Sequence, residues 1–264
     1  MTEGDAVRGH IAAALDDVER TEGIRVLLAV ESGSRAWGFP SRDSDWDVRF
    51  LYVRPLAASL GVIPPRDTIE RPIVDGLDLG GWDVRKALGL LVRSNAAVPE
   101  WLASPITYRR DERTVAELVG VARLAAHRPA PEYHYDRLAR GAWPPADGEA
   151  ARLKALFYAL RPALALAWLR RVGAPLPMDL PSLMVGLAPR PELVQAVAAL
   201  RARKATGSEA DPAPRCPEVE AFASEVLAVR PGRPVSWDKA PAIAAVDVLF
   251  LYPVSSDGAG TGKP

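Results

Sequence analysis

Three aspartates in five residues, Asp43, Asp45 and Asp47, stand at the mouth of the apolar run Val48–Val53. Side chains two apart on a β-strand project from one face. Asp45 and Asp47 therefore lie side by side, while Trp46 and Val48 point the other way. Two uncompensated carboxylates so placed repel, and a strand carrying them calls for a cation or open solvent. Three readings compete. A calcium loop fits the D-x-D-x-D start, but an EF-hand wants Gly at its sixth position and Glu at its twelfth. Counted from Asp43 those positions hold Val48 and Arg54, and a strand follows where the loop should continue. An Asp/Ser-rich turn is the plain alternative, since both residue types hydrogen-bond their own backbone. The third reading is a metal site. Paired hard oxygen donors suit Mg²⁺, and two such ions about 3.5–4 Å apart stabilise attacking and leaving oxygens in phosphoryl chemistry.

The segment upstream weighs toward the metal. Ile24–Val30 is a buried strand by composition, broken by Ser32-Gly33-Ser34. A turn after a buried strand offers backbone N–H groups to an anion, and Gly permits close approach. Ser34 adds a hydroxyl. A phosphate-binding turn followed ten residues later by a carboxylate strand makes a complete grip on a triphosphate.

Elsewhere the patterning predicts a helix over His10–Glu22 and strands over Thr68–Val74 and Leu77–Trp82 around an Asp75-Gly76 turn. Asp83 can cap a helix running to Arg93 with Val84, Ala87, Leu88, Leu91 and Val92 inward. After Asn95 strand signals largely vanish. Helices are expected near Arg113–Ala126, Tyr133–Trp143, Glu149–Val172, Pro191–Lys204, Pro217–Val229 and Trp237–Tyr252, with Arg161-Pro162 kinking or dividing the longest. The expected organisation is an α/β unit over residues 1–105, a helical unit over 106–254 and a disordered tail over 255–264. The 33 basic and 33 acidic residues cancel, so no global field argues for nucleic acid or membrane. The single Cys216 excludes an intrachain disulfide, and its place in a Pro-rich stretch reads as an incidental or half-buried thiol. His10, His127 and His134 lack zinc-ligand spacing. No secretory signal and no bilayer-length apolar run is read, so the expected location is cytoplasmic.

Gly33-Ser34, the spacing, Asp45-Trp46-Asp47 and the strand behind them resemble the nucleotidyltransferase fold shared with DNA polymerase β. Three blocks, "SGSRAWGFPSRDSDWDVRFLYV", "GWDVRKALGLLVRSNAAVPEWLASPI" and "YHYDRLA", are similar to a bacterial and phage family of predicted nucleotidyltransferases associated with RNA repair and RNA ligase contexts. The resemblance covers roughly residues 25–180. It implies an α+β fold, with a polymerase β-like domain of mixed sheet and helices followed by an α-helical region. It implies two Mg²⁺ ions and a nucleoside triphosphate, with Asp45 and Asp47 holding both metals and the Gly33-Ser34 turn holding the outer phosphates. It also implies a third carboxylate on a neighbouring strand. Asp78, set between Leu77 and Leu79, is preferred; Asp83, placed to cap a helix, is the competitor. Asp75 reads as a turn residue. The implied reaction moves a nucleoside monophosphate to an acceptor hydroxyl and releases pyrophosphate, with positioning and charge neutralisation providing most of the catalysis.

Further candidates have plain counterparts. Arg35 and Arg42 flank the grip and are candidate phosphate contacts, or simply solvated. Arg85 and Lys86 open the helix after Asp78, and Lys86 is a candidate nucleotide contact. Asn95 and Glu100 read as structural, through a helix C-cap and a buried hydrogen bond. Tyr133, His134 and Tyr135 can stack on a base or meet an RNA end; packing is the plain reading. "GAGTGK", Gly258 to Lys263, does not read as a Walker A loop: the first Gly falls on Asp257 and Pro264 replaces Ser/Thr. Two functional alternatives stay open: a nucleotide- or RNA-binding module without turnover, and an antitoxin-like transferase that modifies a protein hydroxyl. No membrane partner is expected.

Overall fold

The computed structural model describes residues 3–59, 62–127, 129–143, 153–208, 211–212, 214–232 and 236–255. The chain opens with α1 (Glu3–Glu22), then β1 (Arg25–Glu31), β2 (Trp46–Val53), a one-turn α2 (Leu56–Ser59), β3 (Thr68–Glu70) and β4 (Leu77–Asp83). Next come α3 (Val84–Val92), α4 (Ala97–Leu102), β5 (Thr107–Arg110), α5 (Glu112–Leu124), α6 (Pro129–Ala142) and α7 (Leu153–Arg171). The chain continues with α8 (Leu180–Leu187), α9 (Pro191–Thr206), α10 (Pro217–Ala228) and α11 (Ala240–Ser255). The fold is α+β, as the resemblance implies.

The five strands lie in the order β3-β4-β2-β1-β5. Only β2 and β4 run parallel; the other neighbours are antiparallel. Alternation assigns the faces. Val48, Phe50, Tyr52, Leu77 and Leu79 turn toward Ile11, Leu15 and Val18 of α1. Leu51 and Val53 turn the other way, onto Val84, Ala87, Leu88 and Leu91 of α3 and Val115, Leu118 and Val121 of α5. Asp47 and Arg49 share this second face by parity, at the end of β2 where the strand begins. A third cluster gathers helices α6 to α10, and Phe39 reaches into it from the segment between β1 and β2. Phe39 stacks on Phe157 with ring centroids 4.7 Å apart. Burying one such ring is worth about 1.5–3 kcal/mol, so the helical part anchors the loop that forms the site.

Local signals explain most boundaries. Asp83 accepts a hydrogen bond from the Arg85 N–H and starts α3. Asp75 and Gly76 adopt φ of 51° and 72°, which the hairpin turn between β3 and β4 requires. β3 is shorter than expected and ends at Glu70, just before Arg71-Pro72, where Pro has no N–H to give the ladder.

Three features depart from the sequence reading. β5 follows Asn95, where no strand was expected. Its residues Thr-Tyr-Arg-Arg carry little apolar patterning, as suits an edge strand protected by charge. α7 runs unbroken through Pro162. A proline there removes one backbone donor, but every residue from Ala159 to Ala167 is buried, and packing outweighs the lost bond. α4 and α8 are short, Pro-containing segments that the periodicity missed. No helix among the described residues is long and apolar enough to cross a membrane.

Candidate active site

The parallel pairing of β2 with β4 sets Asp47 directly beside Asp78. Both side chains are half-buried and stand on one face. Asp45 lies just before β2 begins and is exposed. Asp83 falls on the other face of β4, buried and committed to capping α3. The chain after β1 closes a helical turn, in which the Trp37 N–H donates to the Gly33 carbonyl at 2.9 Å and the Phe39 N–H to the Ser34 carbonyl at 3.0 Å. This turn presses on the carboxylate of Asp47: a Cβ on Gly33 would stand 1.6 Å from Asp47 Oδ2. Gly33 is thus required by close approach, and the turn and the Asp47 carboxylate form one surface.

Burial pushes the Asp47 carboxyl above its ordinary value; the Arg49 guanidinium opposes this, and the charges of Asp78 and Asp45 add to it. Arg49 follows Asp47 two residues on along the same face of β2; Asp45, which the alternation also puts on this face, lies outside the strand. Its guanidinium donates to Asp78 Oδ2 at 2.7 Å, to the Asp78 carbonyl at 3.0 Å and to the Val48 carbonyl at 3.1 Å, and stands 3.9 Å from Asp47 Oδ1. Behind the pair lies Glu31, fully buried at the end of β1. It accepts from the Asp47 N–H at 2.8 Å and from the Tyr108 hydroxyl at 2.6 Å. Burial raises Glu31 despite these two bonds, and it raises Tyr108 as well.

The turn is held from the helical side. Ser34 is buried, and its hydroxyl donates to Ser44 Oγ at 3.0 Å; the Ser44 and Ser41 hydroxyls lie 2.8 Å apart. The buried ammonium of Lys204 in α9 donates to Ser41 Oγ at 3.3 Å. Arg201 donates to the Gly38 carbonyl at 2.8 Å, and the Leu180 N–H to the Trp37 carbonyl at 2.9 Å. Arg35 tethers the Asp strand: it donates to the carbonyls of Ser44 at 2.7 Å and Asp45 at 3.2 Å, and stacks 3.8 Å over the Trp46 ring. Asp43, outside β2, accepts from Ser208.

Other candidates fall away from this cluster or into the scaffold. Arg42 is exposed. Arg85 pairs with Asp83 at 3.5 Å. Lys86 pairs with Asp67 at 3.4 Å and lies 5.3 Å over the Trp82 ring. Asn95 closes the C-terminus of α3 through its backbone, its N–H donating to the Leu90 carbonyl at 3.0 Å, while its side chain accepts from the Ala97 N–H at the start of α4. Glu100 accepts from Tyr135 and pairs with the buried Arg161. Tyr135 is buried, His134 is lowered by burial, and Tyr133 is exposed. Cys216 is buried, more fully than the half-buried thiol expected. Gly258–Lys263 lies outside the described residues.

A family profile described as "RNA repair pathway DNA polymerase beta family", RlaP, matches residues 7–251. The chain belongs to this family. It is also 42% identical over 207 residues to "Uncharacterized protein YcgL" of Bacillus subtilis, covering 78% of this chain and 79% of that one. RlaP membership makes it a polymerase β-like nucleotidyltransferase by type.

Within this RlaP chain the donor chemistry fits a hard divalent cation, since carboxylate oxygens gather beside a turn whose missing Cβ leaves them room. Among the described residues no three His, Cys, Asp or Glu side chains converge as a ligand set. Asp47 and Asp78 are in register, Asp45 stands at the open end of β2, and Arg49 takes the place beside the first two. Arg49, Glu31 and Lys204 were not singled out from the sequence. The first was legible as the next step of the i, i+2 alternation; the other two depend on strand pairing and on a contact 163 residues away.

Proposed function

We propose that this chain is a Mg²⁺-dependent nucleotidyltransferase that moves a nucleoside monophosphate from a triphosphate to an acceptor hydroxyl and releases pyrophosphate. The observation that carries the reading is the in-register Asp47–Asp78 pair on adjacent parallel strands, with the Gly33 turn against Asp47. Asp45, Asp47 and Asp78 are the residues that would hold divalent metal, which when bound neutralises developing phosphoryl charge and lowers the pKa of the acceptor hydroxyl. Gly33 and the N–H groups of its turn receive the outer phosphates. The Ser34 hydroxyl acts mainly through Ser44 and Ser41, fixing the turn. Arg35 positions Asp45 through its backbone, exposed Arg42 is a phosphate contact, and Lys86, beside Trp82, would give up Asp67 to meet the nucleotide. Glu31 orients Asp47 through the Asp47 N–H. RNA ends are the acceptor class favoured, on the family description.

The test is transfer of label from α-labelled triphosphates to RNA oligonucleotides with hydroxyl or phosphate ends, with pyrophosphate release followed in parallel. Asp47→Asn should lower turnover by on the order of 10²–10³, the size seen when one preorganised electrostatic group is lost. Equal turnover by Asp47→Asn and the parent would refute the reading. Triphosphate binding with no pyrophosphate release under any acceptor would mark the chain as a binding module instead.

A further inference from the structure

Arg49 is an unusual neighbour for a cation site. Its guanidinium is satisfied on three oxygens, two of them belonging to Asp78, and it approaches Asp47 at 3.9 Å. A divalent ion drawn to the same carboxylates competes with it directly. Arg49 also borders a polar cavity of about 420 Å³ that continues past Asp78 over Gly80 to Trp82 and Trp101, with Arg71 on its rim. The floor at Gly80 carries no side chain, and the nearest atom to a Cβ built there is Arg49 Cδ at an ordinary 3.6 Å. The side chain therefore has somewhere to go on the same face.

We propose that Arg49 is a displaceable counterion. In the metal-free protein it neutralises Asp78 and, more weakly, Asp47. When metal and triphosphate enter together it gives up the Asp78 carboxylate, the cavity giving the side chain room, and the α-phosphate oxygens, next to the outer phosphates on the Gly33 turn, replace the lost partner. The inference rests on the metal role proposed above for Asp47 and Asp78. Its consequence is thermodynamic coupling. Metal alone must break the charge-assisted bond from Arg49 to Asp78 Oδ2; metal with a polyanion need not leave the guanidinium unpaired. Each ligand then raises the affinity for the other. Arg49 is in this sense a positioning residue that keeps the carboxylates apart in the resting protein and admits metal chiefly with nucleotide.

The test is Mn²⁺ binding to the full chain without nucleotide, followed by electron paramagnetic resonance, for the parent, Arg49→Met, Arg49→Lys and Asp47→Asn. Arg49→Met should bind Mn²⁺ alone about tenfold tighter, and Arg49→Lys by a smaller factor, because a lone ammonium keeps the charge but cannot span the Asp78 carboxylate and both carbonyls at once. A purely structural arginine would give unchanged or weaker binding. In a second titration, a nonhydrolysable triphosphate should gain less from added Mn²⁺ in Arg49→Met than in the parent; chelation in solution is common to both and cancels. If Asp47→Asn abolishes Mn²⁺ binding while Arg49→Met leaves it unchanged or weakens it, the counterion proposal is overturned and the metal site stands. If Asp47→Asn leaves Mn²⁺ binding unchanged, the metal reading itself fails and takes this inference with it. Should Arg49→Met not fold, the absence of any tightening in Arg49→Lys overturns the proposal.

Discussion

Replacing Gly33 by alanine separates the site from the scaffold with one methyl group. The new Cβ would stand 1.6 Å from Asp47 Oδ2 and 2.4 Å from its Cγ. The carboxylate must retreat by roughly 2 Å before the contact is an ordinary van der Waals one. Rotation can swing the carboxylate away, but Asp47 Cβ stands 2.8 Å from the new methyl and moves only with the backbone, so the turn and β2 must also part by a few tenths of an ångström. The stability cost is that of overpacking, about 1–3 kcal/mol, or a melting shift of about 2–12 °C for a chain of this size. Activity should suffer far more, because misplacing a reacting group by 1 Å can cost about 10²-fold. The assay pairs thermal melting with pyrophosphate release and Mn²⁺ binding in the presence of a triphosphate. Gly80→Ala is the control: its Cβ meets Arg49 at 3.6 Å, an ordinary contact, so the variant should stay within about 0.5 kcal/mol of the parent and remain active. A Gly33→Ala protein with parental turnover and metal affinity would refute the idea that the turn and Asp47 share one surface.

Glu100→Gln should destabilise by about 3–5 kcal/mol in urea titration, since it strips the buried Arg161 of its charge partner; a loss under 1 kcal/mol would contradict this. Glu31 and Asp47 both have folded pKa values raised above the unfolded ones, so the folded state holds more protons. Stability should fall as pH rises from the unfolded carboxylate range through their raised values. Asp47→Asn should flatten that decline between acid and neutral pH; denaturation curves that change with pH in parallel for the two proteins would count against it. Lys204→Met removes the buried donor to Ser41, loosening the hydroxyl chain that ends at Ser34. It should raise KM for the triphosphate more than it lowers kcat, whereas an equal loss in kcat alone would place Lys204 elsewhere in the mechanism.

The sequence was most legible where one local rule decides. Period-two alternation set Asp47 opposite Trp46 and Val48, though β2 begins one residue after Asp45; the Asp-Gly pair marked its turn, and Asp83 declared itself as a cap. The choice of Asp78 over Asp83 follows the same parity, and the strand pairing sets Asp78 opposite Asp47. What stayed hidden depends on distant partners. Nothing local shows that Lys204 is buried under Ser41, or that Tyr108 comes from a strand β5 with almost no apolar pattern. Ser34 reads as a phosphate donor until its burial beside Ser44 is seen. Pro162 is the opposite case: the local rule predicts a kink or a division, and with burial on all sides α7 is not divided.

Diffraction from crystals soaked with Mn²⁺ and a nonhydrolysable triphosphate, recorded at the manganese edge, tests the central claim most directly. The account predicts an anomalous peak about 2.1 Å from an Asp47 carboxylate oxygen, with Asp78 or Asp45 as a further ligand and the outer phosphates over the Gly33 turn. Manganese held only by the triphosphate, or a triphosphate seated away from Gly33, would contradict it.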